Sequence, residues 1–235
     1  MTEFYVPEKV FFTNGVGIDK DKLTSFELAL RDAKIFSYNL IKVSSILPPK
    51  CKEISRDEGI KYFHEGEEVC CVLSENSTNE NHRLIAASIG IANPLDEATH
   101  GYISEYHSFG EKDEDVGEYA EKIAIGMFAS GKGFSFDKDN FVSEKNSRTY
   151  KVGDYTLRTR NVKQSSLGKE GVWTTVVAAA VFIPYDPKIK ELESKLNIME
   201  SRLSILENYI LISKENNKED NQLVFTKNNS IKVRP

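Results

Sequence analysis

Hydrophobic positions in the first 185 residues follow strand spacing in most places and helix spacing in two. Strand-like runs, rich in β-branched and aromatic residues, occupy 4–14, 39–43, 69–73, 84–91, 101–106, 150–162 and 172–183. The last of these runs is continuously apolar, which predicts a fully buried strand. Asn14-Gly15, at the end of the first run, predicts a turn.

Two segments, 22–35 and 113–130, carry apolar residues at helical spacing. In the first, Thr24 and Glu27 have the spacing of a capping box, which supports the helix prediction. The second ends just before a glycine, a residue type that commonly terminates helices. Strands mixed with two or three helices indicate an α+β domain over residues 1–185.

A heptad repeat replaces these patterns over residues 186–212. Its apolar positions follow one another in alternating steps of three and four: Ile189, Leu192, Leu196, Met199, Leu203, Leu206 and Ile210. Residues of opposite charge flank this seam at g and e positions, as in a parallel homotypic coiled coil: Lys195 with Glu200, and Arg202 with Glu207. Three heptads are few, so packing of this helix on the protein's own body stays open. Residues 213–235, rich in Lys, Asn, Glu and Asp, predict a disordered tail.

Composition and charge narrow the function. The 235 residues are 40% hydrophobic with a net charge of −5, which predicts a soluble globular protein without the concentrated basic face that nucleic acid requires. No apolar run approaches the roughly 20 residues that span a bilayer, and the amino-terminal residues do not resemble a secretory signal. The three cysteines, Cys51, Cys70 and Cys71, form no CxxC pair. We therefore expect reduced thiols, a cytoplasmic location and no metal site.

Candidate chemistry is concentrated where a strand meets two prolines. The segment runs from Asn39 through the adjacent Ser44 and Ser45 to Pro48-Pro49. A serine hydroxyl can attack its own preceding carbonyl where the backbone is held in a strained geometry. From residue chemistry alone, a strand end with two small polar turn residues is the simpler interpretation. The chain contains neither a phosphate-binding loop nor a nucleophile elbow.

This segment resembles the self-cleavage site of the archaeal-type pyruvoyl-dependent arginine decarboxylases, with its Ser-Ser-x-x-Pro-Pro signature and an asparagine five residues before the first serine. Other segments similar to that family follow in the family's order: 23–35, 84–94, 101–106, 113–131 and 178–180. The resemblance covers about residues 4–185, although 137–169 has no clear counterpart. It implies a layered αββα sandwich assembled as a homotrimer with sites at subunit interfaces, here with a coiled-coil-like carboxyl-terminal helix appended.

The resemblance also implies the chemistry. Ser45 would attack the carbonyl of Ser44 and become a covalent pyruvoyl group, cutting the zymogen into a β chain (1–44) and an α chain (45–235). The substrate amine would then form a Schiff base with this group, whose adjacent carbonyl serves as electron sink without a metal. Glu105 matches the family glutamate that reprotonates the product carbon.

Two further residues match family positions. Asn39 matches an asparagine near the cleavage site that can hydrogen-bond the scissile carbonyl. Glu27 stands where the family has an aspartate that holds the substrate guanidinium. A glutamate can still bind a guanidinium fork, but it moves the charge by about 1 Å, a shift that matters to positioning.

The predicted function is therefore the decarboxylation of L-arginine to agmatine and carbon dioxide, a step of polyamine biosynthesis. Two alternatives stay open: a pyruvoyl decarboxylase for another amino acid, and a non-catalytic oligomeric homologue.

Overall fold

The computed structural model describes residues 6–136, 148–183, 192 and 195–208. The chain divides into two compact units, Met1–Tyr185 and Asp186–Pro235. The described part of the first unit consists of these elements in chain order: β1 (Lys9–Asp19), α1 (Lys22–Asp32), β2 (Asn39–Lys42), β3 (Ile46–Leu47), β4 (Lys52–Glu53), α2 (Arg56–Gly59) with a 3₁₀ turn (Ile60–Tyr62), β5 (Glu68–Thr78), β6 (Leu84–Pro94), β7 (Gly101–Phe109), α3 (Asp113–Gly131), β8 (Thr149–Val152), β9 (Tyr155–Leu167) and β10 (Trp173–Ile183).

The strands form two five-stranded sheets. Sheet A has the order β2-β5-β10-β1-β4, and sheet B has the order β3-β7-β6-β9-β8. β1 and β10 pair antiparallel along their whole lengths, from Lys9 opposite Ile183 to Asp19 opposite Trp173. β2, an edge strand, pairs parallel with β5, and β3, the edge strand of the other sheet, pairs antiparallel with β7.

Three layers of apolar packing hold the sheets and helices together. α1 covers the outer face of sheet A, where Ala29 and Leu30 pack among buried residues of β1, β5 and β10. Between the sheets lies a second cluster, to which Ile89 and Ile103 of sheet B contribute. α3 covers the outer face of sheet B through residues such as Phe128. Because each sheet buries both faces, the structure confirms the predicted αββα sandwich.

The predicted turn at Asn14-Gly15 is wrong, because β1 runs straight through both residues. Gly15 and Gly17 are needed for packing instead. A Cβ at Gly15 would overlap the carbonyl oxygen of Ala29, and one at Gly17 would overlap that of Ser25. The two glycines therefore let α1 lie directly on the backbone of β1.

The cap of α1 and one strand also differ from the sequence predictions. α1 begins at Lys22, as predicted, and ends at Asp32. Its cap is Asp21 and not Thr24, because the Asp21 carboxylate accepts the N–H of Leu23 at 2.9 Å. The single strand predicted over 150–162 is a hairpin, formed by β8 and β9.

In the second unit, residues 195–208 form a helix, α4. Its apolar seam residues are each more than half exposed: Leu196, Met199, Leu203 and Leu206. The carboxyl-terminal helix is confirmed, whereas its coiled-coil pairing stays a prediction. Ile189, Ile210 and the tail predicted over 213–235 lie outside the described residues. In the part of the chain that the structure describes, no helix is both long and apolar enough to cross a membrane.

Candidate active site

Ser44 and Ser45 form the link between the two sheets. Before them, Val43 still donates its N–H to the carbonyl of Cys71 on β5, at 2.9 Å. After them, the carbonyl of Ser45 accepts the N–H of Ile103 on β7, at 2.8 Å. The predicted cleavage bond therefore lies where the chain leaves the edge of sheet A and joins the edge of sheet B.

A tight turn is centred on Ser45. The N–H of Ile46 donates to the carbonyl oxygen of Ser44 at 3.0 Å, and a bond from residue i+2 back to residue i closes a three-residue turn. The backbone φ of Ser45 is negative. Ser44 is exposed and Ser45 is half-buried. The carbonyl of the predicted cleavage bond thus already accepts one backbone hydrogen bond.

Glu105 lies on β7, two residues beyond Ile103. Side chains alternate along a strand, so Glu105 shares the face on which Ile103 packs against sheet A. Although Glu105 reaches solvent, partial removal of water around its carboxyl raises its pKa. The sequence prediction of a carboxyl that holds its proton more firmly is consistent with this direction.

Three charged or titratable side chains surround Glu105. Lys42 lowers the pKa of Glu105, Glu75 raises it and His107 lowers it, all three to a smaller extent than desolvation raises it. Lys42 of β2 and Glu75 of β5 are themselves an ion pair, with Nζ and Oε2 3.4 Å apart. Sequence analysis missed these neighbours, because their proximity depends on the pairing of β2 with β5.

Asn39 and Glu27 make other contacts in the single chain. The side-chain amide of Asn39 donates to the carbonyl of Gly66 at 2.7 Å. The Nε–H of Arg31, one helical turn later, donates to Oε1 of Glu27, and the two heavy atoms are 2.5 Å apart. Arg31 therefore presents a guanidinium to the carboxylate that was predicted to bind one. The roles predicted for Asn39 and Glu27 stay predictions.

A cavity of about 440 Å³ lies between the start of α1 and strand β5. Its lining includes Asp21, Lys22, Leu23, Phe26 and Glu75. Two carboxylates beside two apolar side chains suit a cation carried on an aliphatic stem, and the one cation among these residues, Lys22, places its ammonium over the Trp173 ring. Glu75 connects this cavity to the surroundings of Glu105, because it also pairs with Lys42.

Within the described residues, no group of three or more His, Cys, Asp or Glu side chains could hold a metal ion. The surroundings of Ser45 fit a carbonyl group derived from that residue. Its position is half-buried, its backbone carbonyl is fixed by Ile103, and Glu105 on the same strand has a raised pKa.

Comparisons with known proteins agree with this geometry. Residues 9–187 match the family model of pyruvoyl-dependent arginine decarboxylase. A probable pyruvoyl-dependent arginine decarboxylase of Chlorobium phaeovibrioides is 51% identical over 180 residues, which are 77% of this chain and 99% of that protein. Pyruvoyl-dependent arginine decarboxylase 2 of Methanosarcina acetivorans is 50% identical over 179 residues, 76% of this chain and 97% of that protein. The matched region includes β8 and β9, for which the sequence had shown no counterpart, and ends before α4.

Proposed function

Because the chain belongs to the pyruvoyl-dependent arginine decarboxylase family, we propose that it cleaves itself between Ser44 and Ser45 and then converts L-arginine to agmatine and carbon dioxide. The observation that carries this proposal is the hydrogen bond from Ile103 to the Ser45 carbonyl, 2.8 Å long. It attaches the cleavage position to β7, the strand that bears Glu105.

The roles of the chain's own residues follow from this arrangement. A pyruvoyl group at position 45 supplies an electron-withdrawing carbonyl when carbon dioxide leaves the substrate. Glu105 holds a proton and delivers it to the α-carbon, and its raised pKa keeps that proton in place closer to neutral pH. The N–H of Ile103 orients the backbone at position 45.

Recognition of the substrate side chain is assigned to carboxylates near α1. The family resemblance points to Glu27, and the cavity adds Asp21 and Glu75 together with an apolar wall. Carboxylates form paired, charge-assisted hydrogen bonds with a guanidinium. A second candidate, a decarboxylase for another amino acid, is supported by the pairing of Glu27 with Arg31, because the carboxylate assigned to the substrate guanidinium already has a guanidinium partner.

The assembly and location remain proposals. We propose a homotrimer on the basis of the family resemblance, with α4 adding contacts between copies. The cytoplasmic location predicted from the sequence is proposed on the cysteine usage alone.

Intact mass spectrometry of the purified protein beside its Ser45→Ala variant tests the self-cleavage. Two chains that separate after Ser44 in the unaltered protein, and one full-length chain in the variant, would support it. A single full-length chain in both, with the fold intact, would instead favour the non-catalytic homologue. Turnover of arginine, lysine, ornithine and aspartate then tests the substrate, and the assignment fails if arginine is no faster than the others.

A further inference from the structure

The turn at the cleavage bond carries an inference about how the bond breaks. Ile46 lies opposite Tyr102 of β7, while the neighbouring Ile103 donates to Ser45. In an antiparallel ladder, that pattern makes Ile46 and Tyr102 a non-hydrogen-bonded pair. The N–H of Ile46 is therefore not used by the sheet, and it points back to the carbonyl of Ser44 at 3.0 Å.

We propose that the backbone N–H of Ile46 is the donor that stabilises the negative charge formed on the Ser44 carbonyl oxygen during self-cleavage. This inference rests on the proposed function and adds a catalytic group to it. The donor is 3.0 Å from the ground-state carbonyl oxygen, so a small movement of that oxygen during attack keeps it within the 2.7–3.1 Å at which such donors stabilise an oxyanion. The side chain predicted for this task, Asn39, donates to Gly66 instead.

The chemical steps balance without an external reagent other than water. The hydroxyl oxygen of Ser45 bonds to the carbonyl carbon of Ser44, and the carbonyl oxygen takes up the electron pair, where it meets the N–H of Ile46. The electron pair then re-forms the carbonyl, the C–N bond between Ser44 and Ser45 breaks, and the hydroxyl proton of Ser45 passes to the released nitrogen. The product is an ester between Ser44 and the side-chain oxygen of Ser45. Residue 45 then loses its Cα proton and expels the Ser44 carboxylate. Water hydrolyses the resulting group, whose nitrogen departs as ammonia and leaves the pyruvoyl carbonyl.

The sharpest test exchanges one amide for an ester. A synthetic peptide of residues 1–50 can be ligated to residues 51–235 at the natural Cys51, and the full chain then refolded. An ester in place of the Ile46 amide removes the N–H and keeps the side chain. We expect self-cleavage to slow by about 10²-fold or more, the usual effect of losing one oxyanion donor.

The matched control is an ester at Val43. It removes a backbone hydrogen bond of similar length, from Val43 to Cys71 at 2.9 Å, but leaves the turn intact. We expect this chain to cleave within about threefold of the all-amide chain, since one backbone hydrogen bond outside the turn contributes little to the barrier. Intact mass spectrometry over time measures both rates, and circular dichroism confirms folding.

A genetic variant gives an independent measurement. Ile46→Pro also removes the N–H. No hydrogen bond between β3 and β7 is lost, because the sheet does not use this N–H. Its control, Ile46→Val, keeps the N–H on a similar, partly exposed side chain. We expect the proline variant to fold and stay uncut, and the valine variant to cleave normally.

The outcomes separate the two proposals. Cleavage of the Ile46 ester or of Ile46→Pro at the normal rate would overturn the role of Ile46 and leave the proposed function standing. Absence of cleavage in the all-amide chain, folded and at any pH, would overturn both.

Discussion

At the scale of single residues, the environment of Glu105 combines opposing influences. Desolvation and Glu75 favour the protonated carboxyl, whereas Lys42 and His107 favour the carboxylate. Desolvation is the largest of these, so the pKa is raised. A carboxyl held in this way can donate a proton at a pH at which an exposed glutamate has already lost it.

Replacement of Glu105 by glutamine tests this role. We expect decarboxylation to fall by about 10²–10⁴-fold, the usual loss when a general acid is removed. Because the folded state binds the proton more tightly than the unfolded state, Glu105 lowers stability as pH rises from its ordinary pKa to its raised one. Glu105→Gln should therefore have a Tm at neutral pH equal to or above that of the unaltered protein.

The control for that experiment is Glu97→Gln, which removes an exposed carboxylate in the loop after β6. Thermal unfolding and steady-state rates of both variants give the comparison. A Glu105→Gln protein that is active, or that is less stable only above the ordinary pKa of a glutamate, would contradict the assignment.

The pair formed by Lys42 and Glu75 should control the pH dependence of the reaction. The proposed role requires a protonated Glu105, so activity should fall as pH rises through the pKa of that group. Lys42 lowers this pKa and Glu75 raises it. Lys42→Met should therefore move the alkaline limb of the kcat profile to higher pH, and Glu75→Gln should move it to lower pH.

The opposite signs make this prediction specific, because general damage to the site would move neither limb or both in one direction. The pH dependence of kcat at saturating arginine provides the measurement. Shifts of the same sign in the two variants would show that these charges do not act through Glu105.

At the level of residues, sequence analysis succeeded where a motif was contiguous. Ser44, Ser45 and the prolines stand together in the chain, so their resemblance was visible without a fold. Lys42 and Glu75 are 33 positions apart, and only the parallel pairing of β2 with β5 brings them together. No local pattern marks such a pair.

At the scale of secondary structure, the contact of α1 with β1 depends on the absence of two side chains. We expect Gly17→Ala to destabilise the protein by about 1–3 kcal/mol, because the added methyl group overlaps the carbonyl of Ser25 and the helix must move. Chemical denaturation measures the free energy of unfolding.

Gly66→Ala is the control for that change. Gly66 has open space around its Cβ position but a φ of +80°, so alanine there tests backbone strain without a steric overlap. We expect a loss of about 1 kcal/mol. If Gly17→Ala costs no more than Gly66→Ala, close packing of the helix is not what requires glycine in β1.

The exposed seam of α4 should associate copies of the chain. Leu203→Asp places a charge in the seam, whereas Ser204→Asp places the same charge beside it on the helix. We expect the first variant to dissociate at higher protein concentrations than the unaltered protein, and the second to behave normally. Sedimentation equilibrium measures the difference, and unchanged association of Leu203→Asp would point to another partner for the seam.

Segments with long, regular periodicity were predicted well. β10, the continuously apolar run, and α3 both lie close to their predicted bounds. The failures came from local turn signals. Asn14-Gly15 has the composition of a turn, but the tertiary packing of α1 places both residues inside a strand. Composition alone does not distinguish a glycine in a turn from a glycine in a strand that lets a helix pack directly on the backbone.

At the scale of the whole molecule, the proposed cut leaves both sheets complete. β1 lies inside sheet A between β10 and β4, yet it belongs to the β chain, whereas β10 belongs to the α chain. Their pairing over the full length of both strands should hold the two products together.

We therefore expect the cleaved protein to migrate as a single particle in gel filtration and to yield two chains only after denaturation. Its far-ultraviolet circular dichroism should match that of the uncut Ser45→Ala variant. Release of the 44-residue chain under native conditions would show that the pairing of β1 with β10 does not survive the cut.

The position of the serine link also sets an order of events during biogenesis. The link is held to different sheets at its two ends, by the N–H of Val43 before it and by the carbonyl of Ser45 at its end, so the turn should form only after both sheets have formed. Under the proposed self-cleavage, acquisition of the cofactor would then report correct folding. A nascent or misfolded polypeptide would remain uncut and inactive, and the active fraction of a preparation would measure how much of it reached the native state.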